Sequence, residues 1–415
     1  MSAAEADELS GSDAVPLLEP REGLPNVTTT PEDLSDVVTR LRAGSGPVAV
    51  DAERASGYRY GQRAFLVQLR RAGTGTVLID PVPLPDLGAV SDAIASQEWV
   101  LHAAAQDLPC LADLGMRPSV LFDTELAGRL LNLPRVGLGP LVENVLGYAL
   151  EKGHSAADWS TRPLPEPWLR YAALDVEVLV ELRDELAGRL ALAGKLDWAL
   201  EEFAAIAAAP PHTVRPEPWR RTSGMHRVRG RRPQSLVRAL WEARDELAEQ
   251  RDIAPGRLLT DAAIVEAALA APRSRSALDR LPGFHGRGAE RFLEHWWRAL
   301  EAAYQLPEDE LPIAAAPNEG PPPTRAWAER DPAAAARLVA ARTAVAALAD
   351  EHDLPSENLL APDLVRRLCW EPPDRLTEDV VAEELASMGA RTWQVRITGG
   401  PVARALNRLR TRGEA

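Results

Sequence analysis

Residues 48–53 read Val-Ala-Val-Asp-Ala-Glu, a short apolar run that ends in two carboxylates with one alanine between them. A run of this length and type favours a buried strand. Strand side chains alternate between faces, so Asp51 and Glu53 project from the same one. Two carboxylates aimed at one point repel each other and need a cation or a bound proton to coexist. Alone, Asp-x-Glu is a weak signal, and a solvated strand end is its plain alternative.

Outward from this run, the pattern alternates between helix-like and strand-like segments. Thr30 is expected to cap a short helix that begins at Pro31 and carries an apolar face from Leu34 to Leu41. Ala64-Phe-Leu-Val-Gln-Leu and Val77-Leu-Ile follow the first strand after short turn-rich pieces, which predicts hairpin pairing. Trp99-Val-Leu and Val120-Leu-Phe are separated by a helical stretch, Leu108 to Leu114, which predicts a parallel crossover. The sum is an α/β domain over residues 26–206: a mixed five-stranded sheet flanked by helices, closed by one long helix from about Glu166 to Leu192. Residues 1–25, small and acidic without periodicity, are expected to form a disordered tail.

The rest of the chain reads as all-α. Residues 207–233 are Pro- and Arg-rich and are expected to be a linker. Helical domains then span 234–305 and 326–415, separated by a Pro-rich joint at 306–325. At a fixed offset of 101 residues, Leu247-Ala248 falls on Leu348-Ala349, Asp252-Ile253 on Asp353-Leu354, Leu258-Leu259 on Leu359-Leu360, and Pro272 on Pro373. Several ungapped matches at one offset indicate a duplicated helical unit.

Bulk composition narrows the function. The 415-residue chain has two cysteines, Cys110 and Cys369, far apart and each in an apolar helical context, so buried free thiols are expected. The N-terminus has no basic region followed by an apolar one, and no apolar run approaches a membrane span, so a cytoplasmic protein without membrane contact is expected. A net charge of −14 speaks against nucleic acid, yet Arg220, Arg221, Arg227, Arg229, Arg231 and Arg232 crowd one stretch against the single acid Glu217. An acidic site that holds cations, followed by an arginine-rich stretch, fits a nucleic-acid enzyme better than the net charge does.

Three more residues complete a candidate site. Tyr171 and Asp175 lie four apart on the late helix and therefore share a face; an ordinary helix surface is the alternative. Asp107 stands where a strand ends and a helix starts, where an acid also serves the helix macrodipole. Taken together and in order, Asp51, Glu53, Asp107, Tyr171 and Asp175 resemble the DEDDy exonuclease signature. The surrounding His102-Ala-x-x-x-Asp107-Leu, Phe122-Asp-Thr, Asp158-Trp-Ser-x-Arg-Pro-Leu and Tyr171-Ala-Ala-x-Asp175-Val resemble the ribonuclease D family over residues 30–205. The helical units are similar to HRDC domains, the second in degenerate form.

That resemblance implies a ribonuclease H-like fold and a metal-dependent 3′→5′ exoribonuclease acting on RNA 3′ ends, such as transfer RNA precursors, and releasing nucleoside 5′-monophosphates. Two divalent ions, Mg²⁺ or Mn²⁺, are implied, with Asp51 bridging both, Glu53 and Asp175 completing the nucleophile side, and Asp107 holding the second. Hard cations take oxygen ligands, so carboxylates suffice. Tyr171 would orient the attacking water, because a phenol is a poor base at neutral pH. Arg54 stands where the family often has an aromatic residue; it either reaches a substrate phosphate or offsets the acids.

Other residues carry two readings each. Lys152 and Arg162 flank the Asp158-Trp-Ser motif and either meet phosphate or sit in a solvated loop. His102 is a substrate-binding candidate whose alternative is a structural histidine. Asp123 with Thr124 reads as a helix cap, and Trp296, Trp297 and Phe292 read as core. No P-loop and no paired Cys/His set points to ATP or structural zinc. Two competing functions remain: a DNA 3′→5′ exonuclease on the same fold, and a non-catalytic nucleic-acid-binding scaffold whose HRDC region binds protein.

Overall fold

A computed structural model describes residues 14–151, 153, 156–212, 216–313 and 320–412. Among them are eight strands: β1 (Val15–Leu17), β2 (Val27–Thr28), β3 (Ser45–Arg54), β4 (Ala64–Ala72), β5 (Gly75–Ile79), β6 (Glu98–Leu101), β7 (Val120–Asp123) and β8 (Tyr148–Leu150). The main sheet runs β2-β5-β4-β3-β6-β7. β3, β4 and β5 form the expected antiparallel meander, and β6 and β7 add parallel to β3. β3 is therefore central, and Val48, Ala49 and Val50 are fully buried.

The sheet has six strands rather than five. β2 pairs parallel with the end of β5 through only two residues, Val27 and Thr28, too few to show any periodicity. Nor are residues 14–25 a tail: β1 pairs parallel with β8 in a second, two-stranded sheet. Arg21 lies 5.3 Å over the Tyr148 ring and ion-pairs with Glu181 and Glu177. The remainder of the expected tail, residues 1–13, lies outside the described residues.

The predicted first helix, Pro31–Ala43, is capped as expected: Asp33 N donates to Thr30 Oγ1 at 3.2 Å. The predicted long helix is two, Glu166–Glu177 and Leu179–Leu192. The first lies across β3, β4 and β5, whereas the second buries Leu182, Leu186 and Leu190 beside β3, β6 and the helix Thr124–Leu130. Two different faces must be buried, so the chain turns at Val178 although no Gly or Pro marks the spot.

The offset of 101 reappears as geometry. Arg231–Arg251, Pro255–Leu258 and Asp261–Ala270 correspond to Pro332–Glu351, Ser356–Leu359 and Pro362–Trp370. Asp252 and Asp353 end the long helices in the same left-handed conformation, with φ of 50° and 47°. The expected linker is shorter than 207–233, because Trp219 and Val228 are buried in the first helical core. Both cysteines are buried and free. Contrary to the sequence reading, one helix, Pro332–Glu351, is long and apolar enough to cross a membrane. Here it packs Leu338, Ala341 and Val345 inward, and its buried Arg337 donates to the Cys369 carbonyl at 2.8 Å.

The two helical domains relate differently to the sheet. The second shares one continuous core with it: Trp198 stacks on Trp393 at 4.8 Å, and Trp393 Nε1 donates to Glu202 at 3.0 Å. The first keeps a core of its own. Scanning calorimetry should therefore show two cooperative units, since a unit melts with the core it shares. Trp393→Ala should weaken the larger by about 3–5 kcal/mol and leave the smaller in place. A single transition lowered as a whole would contradict this division.

Candidate metal centre

β3 delivers Asp51 and Glu53 side by side at its C-terminal end. The helix Glu166–Glu177 crosses that end and brings Asp175 down onto them. Carboxylate oxygens of Asp51, Glu53 and Asp175 all lie within 4.8 Å of one another. Tyr171, one turn earlier on the helix, donates its hydroxyl to Asp175. Asp107, buried at the start of the helix Leu108–Asp113, lies close enough for its charge to act on Glu53 and to feel that of Asp51. All five residues singled out in the sequence are thus brought together.

The aim of Asp107 depends on an unusual backbone. Ala103 is left-handed at φ 57°, a conformation that costs a non-glycine residue roughly 1–3 kcal/mol unless neighbours enforce it. Asp123 enforces it, accepting from Ala103 N (3.1 Å) and Ala104 N (2.9 Å) while capping its own helix through Glu125 N (2.9 Å) and Leu126 N (3.1 Å). Asp123 is a helix cap, as expected, and it also positions the turn that carries Asp107.

Charge is the dominant feature. Burial, then Asp51, Asp175 and Asp107, pushes the Glu53 carboxyl up to about 10, and burial, then Asp51, pushes Asp107 up to about 8. Asp175 is raised well above the usual carboxylate range by burial and then Asp51, and Asp51 is raised by burial. Burial and the neighbouring acids also raise Tyr171, so its phenol keeps its proton at neutral pH. Four acids so placed are stable together only when protons or cations share the site. An all-oxygen donor set fits a hard divalent cation.

Around the acids, the structure sorts the remaining candidates. Arg54 offsets them: Nη2 lies 3.2 Å from Asp107 and Nη1 donates to Gln106 O at 2.9 Å. His102 is structural; Nδ1 lies 2.9 Å from Thr124 Oγ1, and burial lowers its pKa to about 4, leaving it neutral rather than cationic. Arg162 spends its donors within the protein. It grips Asp80 with two bonds of 2.7 Å and donates to Phe65 O and Trp159 O at 2.8 Å, latching its loop to the sheet. Lys152 lies outside the described residues.

Of the arginine-rich stretch, three members are committed to backbone. Arg220 donates to Ile313 O, Arg231 to Leu311 O and Pro312 O, and Arg232 to Ala303 O and Leu306 O. They fasten the end of the first helical domain, so these donors are spent within the fold. Arg221, Arg227 and Arg229 are exposed. Trp296 is core, as expected.

One residue escaped the sequence reading. Gln68 on β4 stands in register with Asp51, fully buried, with neither amide atom hydrogen-bonded. A lone polar residue inside Ala64-Phe-Leu-Val-Gln-Leu was the available signal. As the cross-strand partner of Asp51 it lies on the same face of the sheet, and a buried amide without partners there is a group that a polar neighbour would satisfy.

The sheet order, the converging acids and the phenol define a metal-dependent exonuclease domain of the DEDDy class. A 3'-5' exonuclease family model matches residues 25–191, the HRDC domain residues 234–300, and a 3' to 5' exonuclease C-terminal domain residues 320–406. Ribonuclease D of Gluconacetobacter diazotrophicus is 34% identical over 363 residues, covering 84% of this chain and 88% of that one. Ribonuclease D of Acidiphilium cryptum is 33% identical over 80% of this chain and 88% of its own. The chain belongs to the ribonuclease D family. Among solved structures, a protein from Bifidobacterium adolescentis matches with TM-score 0.86 and 38% identity, over 95% of this chain and 100% of that one. Escherichia coli RNase D, an exoribonuclease involved in structured RNA processing, matches with TM-score 0.67 and 25% identity, over 88% and 98%. The HRDC model finds only the first helical copy; the second has diverged far enough to match a model of its own.

The raised acids set a pH dependence with a definite sign. Without metal, folded Glu53 and Asp107 keep protons that their unfolded counterparts lose near 4.5 and 3.8. The folded state binds more protons in between, so stability is full below pH 4 and falls as pH rises through about 8 and about 10. In EDTA the Tm should drop from pH 6 to pH 9, Mg²⁺ should restore it most at the alkaline end, and Asp51→Asn should flatten the slope. Metal binding should release protons in calorimetry across buffers. A pH-independent metal affinity would remove the basis for the carboxylate site.

Arg162→Ala gives a second check. It strands the buried carboxylate of Asp80, and breaking such a pair costs about 3–5 kcal/mol. We expect a lower Tm with unchanged salt dependence of RNA binding; the reverse pattern would restore Arg162 as a phosphate contact.

Proposed function

We propose that the protein removes nucleotides one at a time from RNA 3′ ends, as a metal-dependent 3′→5′ exoribonuclease that releases nucleoside 5′-monophosphates. The observation that carries this reading is the convergence of Asp51, Glu53 and Asp175 within 4.8 Å, in a chain similar to ribonuclease D along most of its length.

Asp51, Glu53 and Asp175 would hold one divalent ion, Mg²⁺ or Mn²⁺, and Asp51 with Asp107 a second. Such ions lower the pKa of a bound water and stabilise charge on the departing 3′ oxygen. The chain's own residues do the positioning. Tyr171 retains its proton and bonds Asp175, so it orients the nucleophile rather than deprotonating it. Arg54 balances Asp107 and keeps that side of the site from accumulating negative charge before substrate arrives.

RNA is favoured over DNA by the family, whose E. coli member is described as acting in structured RNA processing. Transfer RNA precursors, with structured bodies and single-stranded tails, suit the arrangement, and we place the protein in the cytoplasm. The intact set of acids argues against a non-catalytic scaffold.

The test is a denaturing-gel time course on a 5′-labelled transfer RNA with an extended 3′ tail, in Mg²⁺, Mn²⁺ or EDTA, beside a matching DNA strand. A ladder that shortens stepwise only with metal, and is abolished in a folded Asp51→Ala variant, is the expected result. DNA degraded as fast as RNA would favour the DNA reading, and cleavage of neither would favour the scaffold.

A further inference from the structure

The arginines that the sequence offered for RNA are partly spent on carbonyls, but another set keeps most of its donors. On the first helical domain, Arg251, Arg257, Arg287 and Arg291 line a cleft of about 410 Å³ around Phe292, and no carboxylate lines it. All four are exposed. In a chain of net charge −14, four like charges gathered at one opening repel one another, with no carboxylate among the lining residues to offset them.

The cleft is built rather than accidental. Gly288 packs against the turn below: a Cβ there would lie 2.3 Å from Arg257 O and 2.9 Å from Leu258 O, so only glycine brings residues 287–291 beside Arg257. Arg251 and Arg291 lie 5.6 and 5.4 Å over the Phe292 ring. That contact orients guanidiniums through the ring's charge distribution and uses none of their N–H donors. Among the described residues the guanidiniums of Arg251, Arg287 and Arg291 donate no hydrogen bond, in contrast to those of Arg220, Arg231 and Arg232.

The cleft also adjoins the metal centre. Arg257 donates from Nε to Gly57 O at 2.7 Å and lies 4.1 Å over Tyr58. Gly57 is four residues beyond Glu53, at most about 14 Å of extended chain. The neighbouring acid, Asp252, is turned to the same loop and paired with Arg63 (2.6 Å) and Arg59 (3.6 Å), so it does not neutralise the cleft.

We propose that this cleft grips the single-stranded RNA substrate upstream of the 3′ end held at Asp51, its arginines bonding backbone phosphates and its flat guanidinium and aromatic surfaces receiving a base. The proposal rests on the exoribonuclease reading. Phosphates match a carboxylate-free cluster in which three of the four guanidiniums are unspent, and base stacking on such surfaces is tolerant of sequence.

The test measures binding of a single-stranded oligoribonucleotide to the full chain in EDTA, which needs no catalysis and so fails separately from the exonuclease reading. Arg287→Ala with Arg291→Ala should weaken binding about ten- to hundredfold and lower the slope of log affinity against log salt by about 0.7 per arginine. Arg287→Lys with Arg291→Lys should restore the slope. With metal, the rise in KM should grow with RNA length. Unchanged affinity and slope would overturn the proposal, as would polyglutamate displacing the RNA at equal length and concentration, which would assign the cleft to an acidic protein partner.

Discussion

Mutual repulsion among Asp51, Glu53, Asp107 and Asp175 is the constraint to which the rest of the exonuclease domain answers. Nothing in a folded chain gathers four carboxylates without rigid support. β3 occupies the centre of the sheet, with Val48, Ala49 and Val50 fully buried beneath the acids. The helix Glu166–Glu177 ends one residue before Val178 because its task, holding Asp175 and Tyr171 over β3, differs from that of Leu179–Leu192, which packs elsewhere. Strain at Ala103 is held by Asp123 for the same purpose at Asp107. These supports make the site costly to form empty and selective for a cation that relieves it.

What could be read from sequence followed from which physical signals are local. The five long strands were legible because apolar runs with short turns specify pairing by themselves. The acids were legible because alternation on β3 and the i, i+4 spacing of Tyr171 and Asp175 fix directions without tertiary information. β1 and β2 were not, since strands of three and two residues draw their stability from partners distant in sequence. The break at Val178 was hidden for a related reason: the leucines on either side keep helical spacing, and only packing decides that they face different neighbours.

Arginine exposes a deeper ambiguity. A guanidinium bonds a carbonyl, a carboxylate or a phosphate with the same five donors. Arg162, Arg220, Arg231 and Arg232 therefore looked like nucleic-acid contacts and turned out to hold loops and helix ends. Clustering in sequence measures charge, whereas availability depends on whether donors are already spent. Gln68 shows the converse, a residue unremarked in sequence whose unspent donors lie on the strand opposite Asp51.

The duplicated helical unit shows how one motif acquired two roles. In both copies the left-handed aspartate that ends the long helix is the docking corner. Asp353 takes Asn132 at 2.8 Å on its side chain and Lys195 at 2.7 Å on its carbonyl, while Asp252 takes Arg63 and Arg59. Beneath Asp353 the contact deepens into stacked Trp198 and Trp393, and the two cores fuse. Beneath Asp252 the contact is with the loop at residues 57–63, joined by Tyr60 to Asp245 at 3.2 Å and by Gly57 to Arg257. A fused copy buries its surface and becomes part of the scaffold. A copy docked through one loop keeps more of its surface exposed, and that surface is where the unspent arginines lie.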